Sequence, residues 1–383
     1  MKIIVHAGFH TRTHCPVQVT FPIESIPAAL WLIEEPIRQA IPCQWHVHDN
    51  QLTLSWILDA LEAGTTRTYT IEESVVPLES PHVEIKALED KVNVLIGGTL
   101  FTSYNHASKY DRPFLYPVIG PFGHGITRNY PMIADVPGET ADHPHHCSLY
   151  TAFGDVNGVD NWSQETGHGR IVHQAFSSLE SGPVYGRIVA QSDWQDDQGK
   201  KMFSETREMT FFNLPADARL LDYTVTFCAD QAPLTLGDTK EGGLLSVRVA
   251  SSMDVKQGQG GAITNAYGGL NEAETWGKRS PWCDYAGPVA GRMVGIALMD
   301  HPTNLRYPTQ WHVRDYGLMA ANCFAWSHYE HNPSVSGSYT IPAHSALTFR
   351  YRIYIHVGDG ASVPARFIDF ISPPQVRVDF TQP

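Results

Sequence analysis

Residues 347–357 read LTFRYRIYIHV. Leu347, Phe349, Tyr351, Ile353, Ile355 and Val357 alternate with Thr348, Arg350, Arg352, Tyr354 and His356, a strict period of two. Successive side chains of a strand point to opposite faces, so this stretch is a strand with one buried face. Upstream, residues 244–250, 221–227 and 206–212 read the same way. Asp196-Asp197-Gln198-Gly199 is a hairpin signal, and Asn157-Gly158 is a stronger one, joining 149–153 to 159–162. Glycine (31) and proline (26) fall at short intervals as turn residues, and no helical period is sustained from about residue 90 onward. The fold this predicts is all-β, a large antiparallel β-sandwich.

The first ~85 residues read differently. Strand candidates are 17–21, 45–49 and 67–72, while 26–40 suits a short helix and 52–61 fits either element. A small N-terminal β-rich domain over 1–82, a boundary near Ser80-Pro81 and a sandwich domain over 83–383 are expected. No fixed-period repeat is visible.

The chain has 383 residues, 42% of them hydrophobic, enough for a sizeable core. Lys plus Arg is 27 and Asp plus Glu is 40, a net charge of −13, which argues against non-specific binding to nucleic acid or anionic membranes. Six scattered cysteines without a CxxC pair read as free thiols in a reducing compartment. The first residues lack the apolar stretch of a signal peptide, and no apolar run is long enough to span a bilayer, so a cytoplasmic location is expected. The P-loop, GxGxxG, GxSxG, HExxH and EF-hand patterns are absent. Asp155, Asn157 and Asp160 read as a turn rather than a calcium loop.

Histidine is abundant, at 19 residues. Asp142-His143-Pro144-His145-His146 sets three imidazoles and a carboxylate within five residues, suited to acid–base work near neutral pH or to metal ligation. The alternative is a solvated or hydrogen-bonded turn. His173, across the Asn157-Gly158 turn, could meet this cluster. Lys240 and Glu241 stand before two glycines at a strand mouth, where opposite charges tune acid–base groups. Arg279, Trp282 and Asp284 lie in a Gly/Pro loop of aromatic and charged residues suited to a sugar or an acid. Along residues 310–317, Trp311, Val313 and Asp315 face one way, and His312, Arg314 and Tyr316 the other, as if lining a cleft.

The ordered segments DHPHHCSLYTAFGDVNGVDNWSQETGHGRIVH (142–173), KEGGLLSVRVA (240–250), WGKRSPWCDYAG (276–287) and HPTNLRYPTQWHVRDYGLMAANCF (301–324) carry a family resemblance. Over roughly residues 85–357 the chain resembles the PmoA-like family, also labelled methane oxygenase and in effect of unknown function. The family pattern has Arg after DHPHH; here Cys147 stands there, so no role rests on an arginine at that position. The resemblance implies a sandwich similar to the galactose-mutarotase-like supersandwich, in a sugar-catabolic setting. Methane oxidation by a membrane subunit does not fit a chain without a spanning segment.

The function these readings lead to is a carbohydrate-active enzyme, a glycoside hydrolase or lyase acting on a sugar or oxidised sugar. His145, His146, His173, Glu241 and His312 are the candidate catalytic residues. Asp142, Lys240, Arg279, Trp282, Asp284, Trp311, Arg314 and Tyr316 are the candidate substrate contacts. One divalent metal, zinc, manganese or calcium, is a candidate cofactor on His143 and His145. The alternatives are a non-catalytic carbohydrate-binding or assembly module and a cupin-like metal oxygenase.

Overall fold

The computed structural model describes residues 1–74 and 82–380. The expected boundary at Ser80-Pro81 lies outside them. The alternating stretch quoted above falls in the strand Ala346–Val357, which pairs with Arg219–Cys228 on one side and Arg292–Asp300 on the other. Its buried residues Phe349, Tyr351, Ile353 and Ile355 join one core cluster.

That strand sits inside an eight-stranded sheet. A second eight-stranded sheet runs, edge to edge, through Trp311–Arg314, Leu318–Ala321, Gly242–Arg248, Leu149–Phe153, Phe114–Val118, Thr99–Asn105, Lys91–Ile96 and Val83–Ala87. The pairing in both sheets is antiparallel, and one cluster of apolar residues from both fills the space between them. The chain is thus an all-β sandwich.

At its centre the second sheet is buried on both faces. Gly242–Arg248 is buried at every position. Its inward residues join the main core. On the outer face Phe114, Tyr150, Ala152, Leu318 and Ala320 form a separate cluster with Trp162 and Cys147. The connections over 106–113, 119–148 and 154–169 cover part of this face, and that over 119–148 carries the DHPHH segment onto it.

A three-stranded sheet from the first 74 residues and a five-stranded one, four of whose strands come from them, enclose their own cluster, which includes Leu54, Trp56 and Leu58. Two expectations are corrected here. The stretch 26–40 is not a helix: Ala29–Glu35 and Gln39–Ile41 form a hairpin, with Pro36 in the turn and Ala29–Glu35 pairing along Thr66–Ser74. Proline cannot donate the helical hydrogen bond, and the neighbouring strand supplies partners instead. Residues 375–379, expected in the large sandwich, pair with Lys2–His6 at the edge of the five-stranded sheet. The ambiguous 52–61 stretch is strand, Gln51–Leu61.

Candidate functional site

Register places the site residues on the outer face of the second sheet. His312 lies opposite Ala320, Ala320 opposite Ser246, and Ser246 opposite Tyr150. One step along, Arg314 and Arg248 both oppose Leu318. Small side chains at Ala320 and Ser246 leave a floor between His312 and Tyr150.

The DHPHH segment is folded over this floor by arginines. Asp142 Oδ1 accepts from Arg128 Nη1 (2.5 Å) and Arg248 Nη2 (2.7 Å), with His143 Nδ1 at 3.3 Å. Burial alone would raise the Asp142 carboxyl, but Arg248, His143 and Arg128 outweigh it and hold the group below the ordinary carboxylate range. Arg248 Nη1 lies 3.1 Å from His146 Nδ1. A guanidinium only donates, so that nitrogen is an acceptor and the His146 proton sits on Nε2. His143 is nearly parallel to both His146 and Tyr316, each 4.9 Å away. Arg112 donates to the carbonyls of His145 and Trp162, joining the two covering loops.

The Lys240-Glu241 turn approaches from the other side. Gly154 N donates to Glu241 O (2.7 Å), Asn322 Nδ2 to Thr239 O (2.9 Å), and Lys240 pairs with the Glu241 carboxylate. His312 Nδ1 contacts the Lys240 carbonyl. A carbonyl only accepts, so Nδ1 carries the proton and Nε2 is the free base.

These groups shift one another. Burial first, then the charges of Arg112 and His143, lower His145 to about 4. Burial lowers His312 to about 4 against the opposing pull of the Lys240 carbonyl and Glu241. Burial, with the charges of His145 and Arg248, also lowers His146 well below its ordinary value. Burial would raise Glu241, but the Lys240 hydrogen bond and the charges of His312, Lys240 and His145 hold it below its ordinary value. Burial raises the Tyr316 phenol to about 12. Near neutral pH the site therefore presents an ionised carboxylate, unprotonated imidazoles and a protonated phenol.

A cleft of about 350 Å³ opens beside His312, lined by Glu272, Trp276, Lys278, Arg314, Tyr329 and His331. The Trp276 ring stands edge-on to His312, centroids 6.5 Å apart. A larger cleft of about 570 Å³ lies elsewhere, against Trp56 and Arg352. Its charged groups are matched among themselves, Arg352 with Asp222 and Arg187 with Glu208.

Of the residues expected from sequence, Asp142, His143, His145, His146, Lys240, Glu241, His312, Arg314 and Tyr316 come together. Five do not. His173 lies on the other sheet, 4.6 Å from His106 and 4.2 Å from Phe176 between ring centroids. Arg279 donates to the carbonyls of Arg306 and Pro308 and holds a loop. Trp282 packs with the cluster around the helix Val363–Ile371. Asp284 is buried against His356, 3.0 Å away. Trp311 points into the sandwich, with Nε1 donating to Ser280 O (2.8 Å). Sequence reading missed Arg128, Arg248, Arg112 and His331. An arginine inside the apolar run of 244–250 was the available signal for Arg248; Arg128 and Arg112 have none. Among the described residues no three His, Cys, Asp or Glu side chains converge as metal ligands, and the His143 and His145 rings stand edge-to-face, 5.7 Å apart.

Two eight-stranded sheets with a histidine-, arginine- and glutamate-lined outer face define a β-sandwich protein with a polar site on one sheet. The chain belongs to the family of unknown function DUF6807, which it matches over residues 91–366. No curated protein matches it. Among solved structures it is similar to a protein in the glycosyl hydrolase family 38 from Enterococcus faecalis. That match has 11% identity and a TM-score of 0.46, covering 98% of this chain and 47% of that one. It is also similar to the GalM/aldose epimerase homologue from C. elegans (9% identity, TM-score 0.30), covering 73% of this chain and 100% of that one. The Slr1438 protein from Synechocystis sp. PCC 6803 (10% identity, TM-score 0.28) covers 73% of this chain and 99% of its own. The chain spans about half the length of the family 38 protein.

Proposed function

We propose that this face is an enzyme active site that abstracts a proton from a small carbohydrate, a lyase-type reaction on a sugar or oxidised sugar. The observation that carries the reading is Glu241, an ionised carboxylate, beside His145 and His312, whose imidazoles are held unprotonated. Glycoside hydrolysis by the usual carboxyl pair needs one carboxylic acid raised towards neutrality to protonate the leaving oxygen. Both carboxyls of this cluster are lowered instead. A base together with donors for a developing oxyanion is what removal of a proton next to a carbonyl requires.

In this reading Glu241 takes the C–H proton. The Tyr316 hydroxyl and Lys240 ammonium steady the enolate oxygen. The proton passes from Glu241, through His312 or His145, to the departing oxygen, so that no net charge or atom is lost. His146, Arg248, Arg128 and Asp142 position the segment. Zinc, manganese or calcium on His143 and His145 would need further ligands from substrate or solvent. The narrower PmoA-like grouping remains a resemblance, and a sugar-binding module without turnover is the competing reading.

The test is proton NMR in D2O with a panel of keto-sugars, uronic acids and their glycosides. Deuterium entering at carbon or an unsaturated product is expected with the native chain, and neither with Glu241→Gln, which should still bind. Saturable binding without exchange would favour the binding module, and no binding by any panel member would remove the carbohydrate reading.

A further inference from the structure

The cleft beside His312 holds a guanidinium with an unused end. Arg314 lies on the same strand face as His312 and lines the cleft with Trp276, Lys278 and His331. Its Nε stands 3.3 Å from Glu272 Oε1, and its head lies 5.6 Å from the Tyr316 ring centroid. Glu272 is itself fixed: its Oε2 accepts from Asp315 N (2.9 Å), and its own N–H donates to Asp315 Oδ1 (2.9 Å). These contacts orient the guanidinium but leave Nη1 and Nη2 without a protein partner among the described residues. Lys278 Nζ, exposed at the same cleft, also has none among them. Glu272 is the single carboxylate lining the cleft, and both its oxygens are engaged.

A planar fork with both Nη donors free, backed by a second cation, is the geometry that takes a planar oxyanion in two parallel hydrogen bonds. It stands out in a chain with a net charge of −13. The Trp276 ring stands between the cleft and His312, edge-on to the imidazole with centroids 6.5 Å apart, so the cleft adjoins the face proposed to abstract the proton. A volume of about 350 Å³ is at the small end of ligand pockets and suits one compact unit.

We propose that this cleft is a subsite for an acidic sugar unit, its carboxylate held bidentately by Arg314 with Lys278 as the second charge, and that the substrate is therefore a uronate-bearing carbohydrate. This rests on the carbohydrate reading of the neighbouring face. A phosphate on the sugar shares the chemistry, and the experiment separates the two.

Calorimetric titration compares glucuronic acid, glucose 6-phosphate and glucose on the native chain, Arg314→Lys and Lys278→Gln, with melting temperatures as a fold check. Glucuronic acid should bind at least about tenfold tighter than glucose. Arg314→Lys keeps the charge but loses the fork, and should remove most of that preference. Lys278→Gln, at an exposed position, should remove part of it. Equal affinity for glucose and glucuronic acid, or an unchanged preference in both variants, overturns the proposal, as does no uronate binding up to ~10 mM. Tight binding of the phosphate alone overturns the carboxylate assignment. Uronate binding through Arg314 without proton exchange would leave the subsite standing and sink the lyase reading. Exchange on neutral sugars alone would do the reverse.

Discussion

Two buried histidines of this chain carry opposite pH signatures. His312 is lowered to about 4, chiefly by burial. An unfolded imidazole titrates near ~6.5, so below that pH the unfolded chain binds the extra proton and the folded one does not. Stability therefore falls as pH drops from ~6.5 to about 4, by roughly 3 kcal/mol for this residue as an upper figure. His356 is the reverse. Burial opposes its charge, but the hydrogen bond and charge of Asp284 raise it. Its contribution is full below ~6.5 and is lost as pH rises through the raised value. His312→Asn, which keeps a donor for the Lys240 carbonyl, should flatten the acid side of a melting-temperature profile. His356→Asn should cost most at low pH and progressively less above neutrality. Histidine Cε1–H shifts give the same information without a substrate: His145 and His312 should titrate near 4. Midpoints near 6.5 for both would contradict the desolvated site, and activity limited by them should hold down to pH ~5 rather than fall at 6.5.

At the scale of the element, the strand mouth at 239–243 sets where Glu241 stands. Gly154 is the contact that limits it: a Cβ there would lie 2.5 Å from the Glu241 carbonyl oxygen and 3.2 Å from its Cβ. Neither atom is the far end of a flexible side chain, so the turn itself must move. Gly154→Ala should cost about 1–3 kcal/mol and displace Glu241, reducing turnover more than sugar binding. Unchanged turnover and melting temperature would show that the turn has slack. Such strand-level features were partly legible in sequence. The alternation of 311–316 put His312, Arg314 and Tyr316 on one face and Val313 on the other, as found. The same alternation sets Trp311 beside Val313, on the core side, where its ring packs rather than meeting a ligand. Trp282 and Asp284 share a face, but which sheet that face belongs to depends on pairing with Arg292–Asp300 and on the helix beyond. That pairing leaves no mark in the loop's composition. His173 failed for the same reason: its strand joins Tyr185–Gln195 in the opposite sheet, so nearness along the chain did not become nearness in space. The arginines that fold the DHPHH segment come from residues 112, 128 and 248, and only convergence of the chain reveals them.

Over the whole molecule, one carboxylate gathers several of the contacts that tie the first 74 residues to the sandwich. Asp369, on the helix Val363–Ile371, takes Arg12 Nη1 at 3.0 Å and His10 Nε2 at 2.9 Å on one oxygen, and Arg366 Nη2 at 2.8 Å on the other. Arg12 also donates to Ala7 O and Ser372 O, and Arg366 reaches Thr13 O. Four residues beyond the helix the chain becomes Gln375–Asp379, the strand that covers Lys2–His6. Fixing the helix therefore also holds that strand on its edge. Removing the carboxylate leaves Arg12 and Arg366 buried without their shared counter-charge, a loss on the order of 3–5 kcal/mol. The site on the second sheet touches none of these groups. Asp369→Ala should therefore lower stability unevenly: amide exchange should rise in Lys2–His6 and Gln375–Asp379 while Gly242–Arg248 keeps its protection, and uronate binding at Arg314 should be unchanged. That outcome would support an N-terminal domain that folds apart from the sandwich, the division placed at residues 82 and 83. Equal loss of protection in all three strands would mean that the sheets unfold together, and that the division is one of architecture alone.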